Sequence, residues 1–222
     1  MFWCTVLQIV LGALIGIGFI IWMEFIRQPR LKLTIKNPEE LNFPNNFPVQ
    51  RLRSLRLSVS NSNLPCLLRW LLRLPAQRCS GIVSFHALNG QNLFGRTWHI
   101  RWINSPEPLP IRATIGNQQL VIFDPVRLTP ELHRDVFPGT EEIFDIAARF
   151  DLDVDCFGWS NENYFSNPLW RNPNSRIMKG QFFIKVEIQS SGKKCIGTFR
   201  LFNDATIDEF HFESTIPSVP LV

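Results

Sequence analysis

The chain has 222 residues, of which 45% are hydrophobic and 12% aromatic, and a formal net charge of +4. That aromatic and apolar content excludes an intrinsically disordered protein, and no internal repeat or low-complexity tract suggests a fibrous one. The part beyond residue 30 is long enough for one domain with its own core, or at most two small ones.

The first element is apolar. From Met1 to Met23 no side chain is charged, and only Thr5 and Gln8 are mildly polar. About 20 apolar residues cross a hydrocarbon core of about 30 Å. A cleaved signal peptide would carry a basic start, a shorter apolar run and a small-x-small cut site. Here no Lys or Arg precedes the run, the run is too long and Ile21-Trp22-Met23 is a poor place to cut, so residues 1–26 are expected to be a retained transmembrane helix. Trp22 followed by Arg27, Arg30, Lys32 and Lys36 has the make-up of an interfacial anchor. Those four basic residues are the membrane-surface set, facing anionic lipid headgroups. The excess of Lys and Arg on the C-terminal side places the rest of the chain in the cytoplasm. Gly12 and Gly16 form a G-x-x-x-G, which admits weak self-association, although glycine is common in membrane helices generally.

Charge is unevenly spread. Arg27 to Arg112 holds 13 Lys or Arg against 3 Asp or Glu, whereas Ala113 to Val222 holds 10 against 15. The basic half is the half next to the anchor. It carries no recognised nucleic-acid reader motif and its charges are scattered, so nucleic acid is not an expected partner.

Residues 27–53 read as a juxtamembrane basic segment, a first strand and a loop. Leu31 to Lys36 alternates with period two, as a half-buried strand does, and residues 37–50 are rich in Pro and Asn. A domain at 54–222 follows, which the strand at 31–36 can join. Ser54 to Asn61 is the cleanest alternating strand. Pro65 to Pro75 is Leu- and Trp-rich with Arg69 and Arg73 four apart, which suits a short helix; it reads as core, with rest on a membrane surface as the other option. Further strands are expected at 81–88, 96–103, 119–123, 142–150, 151–157, 181–188, 194–202 and 208–214, with a hairpin turn at 189–194. About ten strands without alternating helices predict a mainly β protein, an antiparallel β-sandwich of immunoglobulin-like layout.

Chemistry is sparse. Asp151, Asp153 and Asp155 alternate with apolar residues, so a strand would put three carboxylates on one face, a candidate metal site. A solvated acidic face, or pairing with arginines of the basic half, is the commoner outcome for such a pattern. The histidines have no metal-ligand spacing, although His86 and His99 would meet if their strands were adjacent, and no nucleophile elbow or phosphate loop is present. No cofactor is implied. Cys66, Cys79, Cys156 and Cys195 would be reduced in the cytoplasm and able to pair outside it. The long stretch from Gly158 to Gly180 holds Trp159, Tyr164, Phe165, Trp170, Arg171 and Arg176 among five asparagines, a mixture suited to a binding loop. Capping of the β domain by those aromatics is the competing role.

The expected function is a membrane-anchored, non-enzymatic binding or scaffolding module with an unknown protein partner. The alternatives are an extracytoplasmic ligand-binding sandwich and a membrane-tethered metal-dependent hydrolase.

Overall fold

The computed structural model describes residues 2–43, 50–105, 110–115, 118–123, 131–166, 171–204 and 206–215. The uncharged N-terminal run forms one helix, α1 (Phe2–Arg27). At 1.5 Å per residue it is about 39 Å long. Its described apolar side chains, from Val10 to Phe25, are almost all exposed rather than packed on the rest of the chain.

The remainder is mainly β. One antiparallel sheet runs β1 (Leu31–Ile35), β3 (Gln50–Asn61), β10 (Glu141–Phe150), β11 (Cys156–Gly158), β12 (Arg176–Ile177). On it β2 (Glu39–Phe43) also pairs with β3, and β6 (Arg101–Trp102) with β10. The second sheet runs β15 (His211–Ser214), β14 (Lys193–Asn203), β13 (Gly180–Ser190), β4 (Ala76–His86), β5 (Trp98–His99), and β9 (Arg134–Val136) also pairs with β4. A separate hairpin joins β7 (Pro110–Ile115) to β8 (Gln118–Phe123).

Period-two patterning explains the layers. In β13, Ile184, Val186, Ile188 and Ser190 are buried, while Lys185 and Gln189, which alternate with them, are exposed. Leu55, Leu57 and Val59 of β3 and Phe144 and Ile146 of β10 meet Ile184, Val186 and Ile188 in one core, with Val83, Phe85, Phe199 and Leu201. The register of β10 on β3 shifts between Asp145 and Ala147, which makes Ile146 a bulge residue. β10 is buried on both faces from Phe144 to Phe150. Its Asp145 accepts hydrogen bonds from Ser54 Oγ and Arg56 Nε, each 2.8 Å. Burial pushes that carboxyl up, against the pull of Arg56.

Several expected elements differ. The segment at 37–50 is not all loop: Glu39–Phe43 pairs with Ser54 to Gln50, because β3 starts four residues earlier than its alternation suggested. Leu31–Ile35 pairs with Asn61 to Leu57, so the strand that follows α1 is part of the sheet. The strand at 96–103 is two short pieces on opposite sheets, β5 and β6, separated by Ile100. The Leu/Trp-rich stretch holds a single 3₁₀ turn at Cys66–Leu68, and of its apolar residues only Leu71 is buried. Leu67, Trp70 and Leu72 are 89%, 70% and 76% exposed.

That stretch is tied to the end of α1. Leu74 N–H donates to the Arg27 carbonyl at 2.8 Å, Arg27 Nε donates to the Leu72 carbonyl at 3.1 Å, and Arg73 Nη1 donates to the Gln28 carbonyl. Asn61, at the end of β3, accepts from Arg30 N–H and donates to the Leu74 and Val136 carbonyls. The α1 end of the two sheets therefore includes residues 28–31, 61–76 and 136–139 and the hairpin turn at 190–193. The other end of β3 lies about 36 Å away, for 12 residues at about 3.3 Å each.

Candidate functional site

At that far end β10 turns into β11. Residues 151–155 are a turn rather than the expected strand, and Leu152 and Val154 point to solvent instead of into the core. The reason lies at Arg149. Its buried guanidinium donates from Nε to the Asp153 carbonyl (2.9 Å) and from Nη1 to Asn203 Oδ1 (3.0 Å) and the Asp204 carbonyl (2.7 Å). Asn203, itself buried, donates to the Met178, Ile177 and Val154 carbonyls. This polar knot satisfies carbonyls that a continued strand would have paired, and it draws three turns together.

The turn presents a cleft of about 430 Å³ lined by Leu152, Asp153, Val154, Asp155, Phe157 and Arg176, with Arg171 and Pro173 across it. Asp153 receives Arg171 in a two-point pair, Nε to Oδ2 at 2.8 Å and Nη2 to Oδ1 at 3.1 Å. The Arg171 guanidinium also lies 4.2 Å from the centre of the Phe150 ring and donates to Gln50 Oε1. Arg176 pairs with Asp155. Asp151 is exposed and donates its backbone N–H to the Arg51 carbonyl. The three carboxylates thus do not share a face. Two are paired with arginines of the acidic half, not the basic half. Among the described residues no group of three His, Cys, Asp or Glu is placed to hold a metal ion.

The predicted binding residues separate. Arg171 and Arg176 line the cleft. Trp159 does not: it is 5% exposed, packs with Leu52, Ala148 and Phe150, and donates its backbone N–H to the Ile146 carbonyl. It is a core residue and offers no surface to a partner. Tyr164 and Phe165 lie on the short helix α2 (Asn161–Ser166). Trp170 lies outside the described residues. The asparagines serve local structure. Asn161 Nδ2 donates to the Ile100 carbonyl, Asn163 Nδ2 to the Gly158 carbonyl, and Asn172 Oδ1 accepts from Asn174 N–H to cap a 3₁₀ turn.

The histidines stand apart. His99 pairs with Ile82 in the β4–β5 register, away from His86, and its Nδ1 contacts Glu162 Oε1 at 2.8 Å. Burial works to raise the Glu162 carboxyl, but hydrogen bonds from His99, among others, outweigh it and hold the group below its ordinary range. His86 bridges Ser84 Oγ and the Gly90 carbonyl. The four cysteines beyond α1 are unpaired thiols. Burial raises those of Cys79, Cys156 and Cys195.

The exposed apolar residues of the cleft, Leu152 and Val154, and exposed Met178 escaped sequence reasoning. Alternation with aspartates assigned the first two to a core face. No family model, curated protein or solved structure matches the chain.

Proposed function

We propose that the chain is a single-pass membrane protein whose β-sandwich, immunoglobulin-like in layout, faces the cytoplasm and acts as a non-enzymatic binding or scaffolding module. One observation carries this reading: an unpacked apolar helix adjoins one end of the sheets, while the opposite end holds an open cleft with exposed Leu152 and Val154 beside the Asp153–Arg171 pair. Exposed apolar side chains rimmed by fixed charges favour a protein partner. The basic residues following α1 support the cytoplasmic side, and four unpaired thiols agree with a reducing compartment.

The test has two parts. A tag after Val222 in intact cells is expected to resist protease until permeabilisation; immediate cleavage would favour the extracytoplasmic alternative. A photo-crosslinking residue at Val154 is expected to give a discrete adduct that the same group at Lys185, on the outer face of the second sheet, does not. Equal adducts from both positions would dismiss the cleft as a binding surface.

A further inference from the structure

The stretch between Pro65 and Pro75 exposes more apolar surface than any role in the core explains. Leu67, Trp70 and Leu72 project from a segment hydrogen-bonded to Arg27 and Gln28, the residues that end α1. Trp22 lies about one and a half helical turns before Arg27. The three side chains are therefore held at the level where the apolar helix stops. Exposed Phe137 is on the same end of the sheets, where Pro138 bridges to Asn61.

Glu24 pairs with Arg27 at the end of α1, and the loop between Pro65 and Pro75 carries only basic charges. A cavity of about 250 Å³ is lined by Arg69, Arg73, Leu71, Leu72, Asn63 and Pro138. Arg30 is close enough to Arg73 to lower its pKa, although burial is the larger cause. Several arginines elsewhere find carboxylates: Arg51 and Arg53 with Glu40, Arg56 with Asp145, Arg171 with Asp153 and Arg176 with Asp155. Among the described residues no Asp or Glu pairs with Arg30, Arg69 or Arg73. Arg73 is buried, yet its Nε has no hydrogen-bond partner among them.

We propose that this loop is a second membrane contact, in which Leu67, Trp70 and Leu72 enter the lipid interface and Arg69 and Arg73 hold the phosphate of an anionic phospholipid. The proposal rests on the reading of α1 as a membrane anchor. Continuity with the end of α1 sets the depth, and three arginines with no carboxylate partner among the described residues, beside an apolar wedge, match the chemistry of a headgroup over acyl chains. The contact fixes the domain against the bilayer and directs the distal cleft away from it.

Tryptophan quenching separates this proposal from the anchor reading. The full chain is reconstituted in phosphatidylcholine–phosphatidylglycerol vesicles with or without brominated acyl chains. The Trp22 and Trp70 contributions are obtained by difference from Trp22→Phe and Trp70→Phe. Bromination is expected to quench both, as for indoles placed at the membrane interface. Quenching of Trp22 alone overturns the loop contact and leaves the anchor; quenching of neither overturns both. Mass spectrometry of lipid retained on the detergent-extracted chain tests the arginines. Phosphatidylglycerol is expected to be enriched over its share in the vesicles and to lose that enrichment in Arg69→Gln, a surface change that leaves the fold intact. Retention in proportion to the vesicle composition overturns the phosphate site.

Discussion

Replacing Asn203 by alanine tests whether the polar knot beneath the distal cleft holds that end of the protein together. Asn203 is fully buried and uses both ends of its amide. Its Oδ1 accepts a hydrogen bond from Arg149 Nη1 at 3.0 Å, and its Nδ2 donates to the Met178 carbonyl at 3.1 Å, with the Ile177 and Val154 carbonyls at 3.4 Å. Loss of an acceptor to a buried cation costs about 1.5–3 kcal/mol, and loss of the donor about 1 kcal/mol more. Arg149 keeps its bonds to the Asp153 and Asp204 carbonyls, which limits the damage. The expected destabilisation is about 3 kcal/mol, or about 6–12 °C in Tm for a domain of this size. Urea unfolding of the full chain in detergent micelles, with the slope unchanged, measures it. Asn89→Ala, on an exposed turn, is the control and should stay within about 0.5 kcal/mol. A loss below about 1 kcal/mol for Asn203→Ala would refute the reasoning, because the knot would then contribute no more than an exposed contact.

Other outcomes follow from the same physics. At Gly81 an added Cβ would sit 2.2 Å from Ile100 Cδ1 and 2.7 Å from Ile188 Cδ1, so Gly81→Ala should cost about 2 kcal/mol by overpacking; an unchanged urea midpoint would mean that Ile100 moves freely. Of the four cysteines beyond α1, maleimide should modify exposed Cys66 first and Cys195 slowly, and should reach Cys79 and Cys156 only after unfolding; intact-mass kinetics would expose any early reaction of the buried pair. Glu162 has a folded pKa below its ordinary 4.5, so it contributes stability above that pH, lost as pH falls through the lower folded value. In Glu162→Gln the pH dependence of the urea midpoint should be shallower on the acid side, and a profile superimposable on the wild type would dismiss the His99 interaction.

Residues with one buried face were readable from the chain alone. The absence of charge from Met1 to Met23 is enough to require a long apolar helix, and the alternation at 31–36, 54–61 and 181–188 returns as β1, β3 and β13. In each case the signal is local, because side-chain period and backbone period coincide. Patterns failed where partners distant in sequence decide the outcome. The aspartates at 151–155 have strand spacing, yet Arg149, held by residues 54 and 55 positions away, ends the strand before them. Trp159 carries the chemistry of a contact residue, and the approach of Leu52 and Phe150 makes it core.

What the sequence by itself determined, then, is an apolar helix followed by a β-rich domain with opposite charge in its two halves. Those properties are written in runs and periods that no folding partner can change. Tertiary structure alone decided which apolar residues stay outside. Leu67, Trp70 and Leu72 have the hydrophobicity of a core, but hydrogen bonds to the end of α1 hold their backbone where no sheet face can cover them. Burial depends on what the chain brings opposite a side chain, and that is a property of the fold.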